Sequence, residues 1–291
     1  MSDIDPGEVL SASHDQFTQD ADAPPPVSAK KPEREGLPSG YRMRADSHYV
    51  DQLSVRRSER AAAETGRPIS EDRADARDRS EKLLAQLAED IATIESAVGA
   101  LAGDASRMSR RVNVDLIKSQ AWRASWALRA HAILDGTYRH QIRPRPLGFI
   151  LGHVRSGWAA ECRLAGVTLQ VSASDWNAVV PVDEQSLIAG LTGALVATLG
   201  LIGQAEGAVL TLSATSQGGA LKSIDVVQDE VLVAPSLSGR FFDASWTDRP
   251  GGWPAGLGAS TAKAVAQQHG GDAVFLADER HGSIVRLQLS R

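Results

Sequence analysis

The sequence predicts an α+β fold in which two long helices precede a two-layer sandwich of helices and strands. From about residue 77, apolar residues recur at alternating steps of three and four, a spacing typical of a helix that packs against another helix. Beyond residue 144 the pattern changes to helix, strand, helix, two strands, helix and two strands. Residues 1–75 carry too little apolar surface to offset the entropy lost on folding, so we predict a disordered N-terminal tail.

The composition excludes some classes of protein. The chain has 291 residues and is 42% hydrophobic, which is enough for one or two ordered domains. Its net charge of -5 gives no global basic field, which argues against a nucleic-acid-binding protein. The single cysteine, Cys162, cannot form an internal disulfide and has no neighbours at metal-ligand spacing. We therefore predict no metal site. Because the N-terminus has no signal-peptide pattern, we also predict a cytoplasmic protein.

One stretch of the tail, residues 40–57, concentrates apolar side chains among basic ones: Tyr41, Met43, Tyr49, Val50, Leu53 and Val55. Two interpretations stay open at this point. The segment could fold on a partner protein, or the cluster is a chance fluctuation within a linker.

The first predicted helix carries an a/d heptad seam. Its apolar members are Leu84, Leu87, Ile91, Ile94, Val98 and Leu101. A seam of this kind needs a facing helix.

A second amphipathic helix provides that partner. A glycine and Asp104 form a break and a helix N-cap, and the second helix ends near Gly136. Trp122 and Trp126 lie one helical turn apart in it, which favours packing inside a bundle over a ligand cage. Two antiparallel helices bury little apolar surface alone, so we predict a homodimer that forms a four-helix bundle through residues 76–136.

Pro144 and Pro146 predict a hinge between the hairpin, residues 76–143, and the sandwich, residues 144–291. The sandwich begins with a helix from Leu147. Strands are predicted at 166–174, 208–216, 221–234, 272–279 and 283–290, and further helices at 183–202 and from about 256.

The uncharged stretch Leu187–Gly203 reaches the lower length limit of a membrane-spanning helix. It contains internal glycines and lacks flanking basic and aromatic anchors. We therefore predict a helix buried in the core of the sandwich, and no membrane span.

The C-terminal sequence GLGASTAKAVAQQHGGDAVFLADERHGSIVRLQL contains a glycine pair, a helix that ends in His-Gly-Gly and a Gly-Ser turn between the last two strands. With the helical hairpin before it, this layout resembles the core of a sensor histidine kinase with its GHKL-type ATPase domain. The matching positions are Gly256, Gly258, His269, Gly270, Gly271, Gly282 and Ser283. A second segment, ILDGTYRHQIRPRPLGFILGHV, is similar to the end of the family's second helix and its Arg-Pro linker. The resemblance covers about residues 78–291 and implies a two-component signalling protein whose partner is a response regulator.

The first helix departs from the family at its phosphoacceptor position. The resemblance implies a histidine followed by an acidic residue and, further on, threonine and proline. In LLAQLAEDIATI these positions are Glu89, Asp90, Thr93 and Ile94, and the helix holds no histidine. Glu89 stands at an outward-facing heptad position, where a solvated charge is the simplest interpretation.

The chain also departs from the family at the asparagine box. The resemblance implies two asparagines and a lysine that bind magnesium and phosphate. The register of the apolar helix places Gly193, Ala197 and Gly200 at these positions. None of these residues offers the side-chain oxygen that a hard cation requires.

Three weak remnants of an ATP site remain. Asp229 corresponds to the adenine-binding aspartate, although Val231 and Val233 follow it in place of glycines. Gly256 and Gly258, at the start of a predicted helix, could offer backbone N–H groups to a phosphate. The sequence therefore predicts no cofactor, with ATP and Mg²⁺ as the alternative.

Other polar residues have ordinary structural explanations. His131 and His140, near the end of the second helix, are candidate substitute phosphoacceptors, although surface positions explain both. Asp183 and Glu184 are interpreted as first-turn carboxylates that the helix dipole stabilises.

Three functional hypotheses follow. The leading one is a degenerate histidine-kinase-like protein that acts as a dimeric scaffold or regulator and holds a response-regulator-like partner without phosphorylating it. The alternative is an active ATP-binding histidine kinase or histidine phosphotransferase with an unorthodox acceptor. The third is a structural dimeric module whose sandwich binds nothing small.

Overall fold

The computed structural model describes residues 69–103, 106–203, 207–218, 220–243, 246, 248–278 and 282–289. They belong to one compact unit. The predictions for residues 1–68, including the segment 40–57, lie outside the described residues. The first helix begins at Ile69, so residues 69–75 are helical and do not belong to the predicted tail.

The helices and strands follow the predicted order, with two additional strands. The hairpin consists of α1 (Ile69–Ala102) and α2 (Arg107–Leu134). The remaining helices are α3 (Leu147–Ala165), α4 (Glu184–Ile202), a 3-10 turn (Pro235–Leu237) and α5 (Gly252–Gln268). The strands are β1 (Arg143–Pro146), β2 (Thr168–Ala173), β3 (Val179–Val182), β4 (Val209–Gln217), β5 (Ala220–Gln228), β6 (Asp272–Asp278) and β7 (Gly282–Gln288).

The main sheet has the strand order β2-β4-β5-β7-β6. β2 runs parallel to β4, and every other neighbouring pair in this sheet is antiparallel. Alternate residues of β4 and β5 are buried, and α3, α4 and α5 pack against the sheet. The predicted α+β fold class is therefore confirmed, with helices and sheet as its two layers.

The predicted proline hinge is wrong, because Pro144 and Pro146 lie in β1, which pairs antiparallel with β3. Pro144 stands opposite Pro181. Neither has an N–H group, so this pair occupies a position where the two strands exchange no hydrogen bonds. The short sheet therefore tolerates its prolines, and it was missed because proline argues against a strand.

Helix α4 forms the centre of the core. Within the described part of the chain it alone is long and apolar enough to cross a membrane, and 78% of its apolar window is buried inside the protein. Three of its leucines, Leu187, Leu191 and Leu195, have no exposed surface. The predicted core helix is therefore confirmed.

Helix α2 packs against the sandwich as well as against α1. Trp126 is buried and its Nε1 donates a 3.0 Å hydrogen bond to the carbonyl oxygen of Ala189 in α4. Trp122 lies against Gly157 of α3, where an added Cβ would collide with the indole ring. Both tryptophans thus attach the hairpin to the sandwich, so their predicted role inside the bundle is corrected: they lie on the side of α2 that faces α3 and α4.

Helix α1 turns only part of its predicted seam toward α2. Three of the six seam residues remain largely exposed: Leu84 at 66%, Ile91 at 54% and Val98 at 51%. The residues just before them are buried instead: Leu83, Asp90 and Ala97. The face that contacts α2 is therefore rotated from the predicted seam, and the three exposed residues form what we call the α1 stripe.

Candidate functional site

The positions at which the resemblance places magnesium and phosphate ligands lie in the contact between α4 and α5. A Cβ added to Gly193 would lie 2.5 Å from the carbonyl oxygen of Gly258. A Cβ added to Gly200 would lie 2.9 Å from the carbonyl oxygen of Pro250. Ala197, between the two glycines in sequence, is buried. The backbone of α5 and of the residues before it therefore occupies the space that ligand side chains would need.

The glycine pair of the C-terminal motif lies inside a helix. Helix α5 begins at Gly252, earlier than predicted, and Gly256 and Gly258 fall in its second turn. At that depth backbone N–H groups bond to the preceding turn of the helix. The expectation that these glycines present N–H groups at a helix start is therefore corrected.

Arg249 covers the first turn of α5. Its buried guanidinium donates hydrogen bonds to the carbonyl oxygens of Phe241, Asp243 and Ala255 at 3.1, 2.8 and 3.2 Å. It also stacks over Trp246 at 5.0 Å. Burial lowers the pKa of Arg249, and the nearby charge of Asp243 partly offsets this shift. The guanidinium at the first turn of α5 is thus already engaged by carbonyl oxygens.

Asp229 follows directly after β5 and is exposed. Val233 is buried in the core and Val231 is half-buried. Gln228, at the end of β5, donates from Nε2 to the carbonyl oxygen of Val231 at 2.7 Å and to Ser283 Oγ at 3.0 Å. The chain just after β5 therefore folds back onto Gln228, whose amide also reaches Ser283 of β7. Valines stand where the resemblance requires glycines that leave backbone accessible.

The loop between β5 and α5 packs against β6. Phe241 stacks on Phe275 of β6 with ring centroids 4.0 Å apart and ring planes 3° from parallel, and both are buried. At the positions that the resemblance gives to the magnesium and phosphate ligands, Gly193, Ala197 and Gly200 offer no side-chain oxygen, and backbone atoms lie against the two glycines.

The family's phosphoacceptor position, Glu89, is exposed on α1, and its backbone carbonyl accepts a hydrogen bond from Thr93 Oγ1 at 2.9 Å. The neighbouring Asp90 is buried against α2. Its Oδ1 accepts from Gln86 Nε2 at 2.9 Å, while its Oδ2 has no hydrogen-bond partner among the described residues. Burial raises the pKa of Asp90, although Gln86 and Arg123 act in the opposite direction.

We expect Asp90→Asn to raise the free energy of unfolding by about 1 kcal/mol at neutral pH. The pKa of Asp90 is higher in the folded chain than in the unfolded one, so its contribution to stability is present in acid and is lost as the pH rises through the folded-state pKa. Urea unfolding between about pH 4 and pH 7 measures the effect. Asp78→Asn, at an exposed residue paired with Lys82, is the control. Lower stability of Asp90→Asn at neutral pH would contradict this account.

Each candidate histidine is held by a carboxylate. His131 Nε2 lies 2.9 Å from Asp135 Oδ2 and 3.4 Å from Ser80 Oγ, at the contact between α1 and α2. His140 Nδ1 lies 3.1 Å from Asp183 Oδ2. The side chains of His131 and His140 are only 18% and 24% exposed, so the expected surface positions are corrected to half-buried ones.

Asp183 joins the hairpin, α4 and α5. It is the N-cap of α4, one residue before the first turn in which it was predicted, and it accepts a 2.9 Å hydrogen bond from the backbone N–H of Ser186. The same carboxylate accepts hydrogen bonds from Tyr138 Oη at 2.9 Å and from the backbone N–H of Gln141. Its own backbone N–H donates to His269 Nε2 at 3.1 Å. The sequence predicted Asp183 at the start of this helix but not these partners, because Tyr138 and His269 are distant in the chain.

The described residues show no metal centre. No group of three or more His, Cys, Asp or Glu side chains that could hold a metal ion comes together among them. Cys162 is buried, and burial together with Glu161 raises the pKa of its thiol to about 11. A thiol in this state is a poor nucleophile.

No protein-family model matches the sequence, and no curated protein sequence matches it. The chain is similar to the catalytic domain of histidine kinase ThkA, with 15% identity, 51% of this chain and 95% of that chain covered, and a TM-score of 0.44. It is also similar to the ATP binding domain of PrrB from Mycobacterium tuberculosis, with 17% identity, coverage of 51% and 96%, and a TM-score of 0.40. A third similar structure is histidine kinase ThkA in complex with response regulator protein TrrA, with 11% identity, coverage of 80% and 66%, and a TM-score of 0.47. These three structures come from histidine kinases, the class that the sequence motifs resemble.

Proposed function

We propose that the chain is a kinase-like protein of a two-component-type signalling pathway in the cytoplasm, and that it acts as a dimeric binding scaffold without transferring phosphate. The observation that carries this proposal is the backbone contact between Gly193 of α4 and Gly258 of α5. It lies where the resemblance requires the magnesium and phosphate ligands.

Phosphotransfer from ATP requires a site that balances the charge of the triphosphate. At Gly193 the nearest group across the helix contact is the carbonyl oxygen of Gly258, which is an acceptor with partial negative charge. A phosphate at this position would meet that oxygen instead of a donor or a metal ion. The helix contact therefore favours a scaffold over a kinase.

We expect ATP with Mg²⁺ not to bind the full-length chain at nucleotide concentrations up to about 1 mM. Isothermal titration calorimetry measures this directly, with an active histidine kinase as the positive control. Saturable, Mg²⁺-dependent heat would contradict the proposal and support the rival enzyme. In that case acid-labile phosphate on His131 or His140, lost on substitution of the modified residue, would identify the acceptor.

The α1 stripe supports the dimer. Leu84, Ile91 and Val98 repeat every seven residues, so they lie nearly in line along one side of α1. This side is turned away from α2 and leaves three large apolar side chains in water. A second hairpin placed along the stripe would bury them in a four-helix bundle.

We expect the double variant Leu84→Glu/Ile91→Glu to be a folded monomer, because two carboxylates in the bundle contact would have to be buried without partners. Sedimentation equilibrium measures the mass, and circular dichroism checks that the helices remain. The control is Ala85→Glu/Ala92→Glu, which places the same charges at exposed positions about 100° further round α1. If the stripe variant remained a dimer while the control variant became a monomer, the dimer interface would lie elsewhere.

The partner that we propose for the hairpin is a response-regulator-like receiver domain. Exposed Glu89, at the phosphoacceptor position, fits such a partner only as a fixed contact and not as a phosphate acceptor. A pulldown with purified receiver domains, using full-length protein, tests this part. If none of the receiver domains bound, the purely structural dimer would be the better hypothesis.

A further inference from the structure

We propose that the groove between residues 138–145 and the first turn of α4 binds an extended acidic segment of a partner protein. The groove has a volume of about 450 Å³ and lies beside the α4 N-terminus. Its walls are Tyr138, Arg139, Gln141, Arg143, Arg145, Asp183, Glu184 and Gln185. It is distinct from both the α1 stripe and the α4–α5 contact, so this inference does not rest on the proposed function.

Three arginines line the groove from one segment of the chain. Arg139, Gln141, Arg143 and Arg145 all line it, and the last two belong to β1. Alternate side chains of an extended chain point to the same side, about 6.6 Å apart for each step of two residues. Within β1 this places Arg143 and Arg145 on the same side, and Arg139 precedes them by four residues, so the three arginines form a row along one segment of the chain.

Two of the three charges remain available to a ligand. Arg139 is exposed and makes no hydrogen bond or ion pair with any described residue. Arg143 is exposed and donates only to Gln141 Oε1, at 3.0 Å, within the described part of the chain. Arg145 Nε lies 2.9 Å from Glu184 Oε2, so its charge is balanced within the groove.

The acidic residues in the groove do not neutralise the two available arginines. Glu184 is taken by Arg145. The carboxylate of Asp183 is 3% exposed and is bound by Tyr138, His140 and backbone N–H groups. A basic row therefore persists on a chain whose net charge is -5, and oppositely charged surfaces favour association.

The row of arginines selects the form of the ligand. A single phosphate is held best by donors that converge on it, whereas an extended peptide with several carboxylates can pair with arginines that are spread along a segment. The partner cannot add as a strand to β1, because the prolines at alternate positions leave the outer edge of β1 without N–H donors. Recognition must therefore come from side chains. Nucleic acid is disfavoured because the overall charge of the chain is negative.

Fluorescence anisotropy of the full-length protein tests this inference with a labelled peptide in which glutamate alternates with threonine. We expect Arg139→Gln/Arg143→Gln to weaken binding about tenfold. The matched control, Arg110→Gln/Arg155→Gln, removes two exposed arginines outside the groove and should change affinity by less than about twofold. Arg139→Lys/Arg143→Lys should recover only part of the affinity, because lysine keeps the charge but loses the planar fork.

Three results would overturn the proposal. Equal loss in the groove variant and the control would show a general charge effect. Displacement of the peptide by oligothymidylate at similar affinity would identify a nucleic-acid surface instead. No binding of the peptide up to about 1 mM would remove the acidic segment as the ligand.

Discussion

Gly193→Asn is expected to lower the free energy of unfolding by about 3 kcal/mol. The substitution restores the residue type that the kinase resemblance requires at this position. In this chain its Cβ would lie 2.5 Å from the carbonyl oxygen of Gly258, so α4 and α5 would have to move apart. Urea unfolding followed by circular dichroism measures the loss.

The chain offers a matched control for this substitution. Gly152 also lies within a helix, and a Cβ added there would meet nothing within 4 Å. Gly152→Asn should therefore change stability by less than about 0.5 kcal/mol. If Gly193→Asn were as stable as the control and also bound ATP, the α4–α5 contact would not be the barrier that the proposed function requires.

Asp183→Ala is expected to lower the free energy of unfolding by about 3 kcal/mol at neutral pH. The substitution removes the α4 cap and leaves the Tyr138 hydroxyl and the N–H groups of Gln141 and Ser186 without their acceptor. The control is Asp175→Ala, at an exposed aspartate that accepts a single local hydrogen bond from the Asn177 N–H, with a loss of less than about 1 kcal/mol.

The effect of Asp183→Ala should depend on pH. Burial alone would raise the pKa of Asp183, but hydrogen bonds from Gln141, Ser186, His140 and Tyr138 outweigh burial and lower it. Its contribution to stability is therefore complete above the ordinary aspartate pKa of about 3.9 and is lost as the pH falls through the lower folded-state pKa. The difference between the wild-type chain and the variant should shrink in that acidic range. A difference that stays constant there would mean that the carboxylate charge contributes nothing.

The sequence alone predicted the helices that have a periodic apolar pattern or a continuous uncharged run. The heptad spacing predicted the hairpin, and the uncharged run from Leu187 predicted the core helix. The two short strands were missed because Pro144, Pro146 and Pro181 argue against strands, and only their pairing across the small sheet explains them.

The candidate site could be predicted only in part. The sequence showed that Gly193 and Gly200 lack ligand side chains, but not that backbone from around α5 lies against them. It likewise placed Asp183 among the first-turn carboxylates of a helix but did not identify it as the acceptor for Tyr138. Both contacts join residues far apart in the chain, and no periodic pattern encodes such a contact.

The contact between Gly193 and Gly258 also limits how nucleotide binding could be introduced into the chain. In a cleft blocked by side chains, substitution by smaller residues opens space. Here both residues are already glycine and the blocking atoms belong to the main chain. A ligand side chain at Gly193 would thus require α4 and α5 to be repacked first, so a single substitution there would lose stability before it gained a ligand.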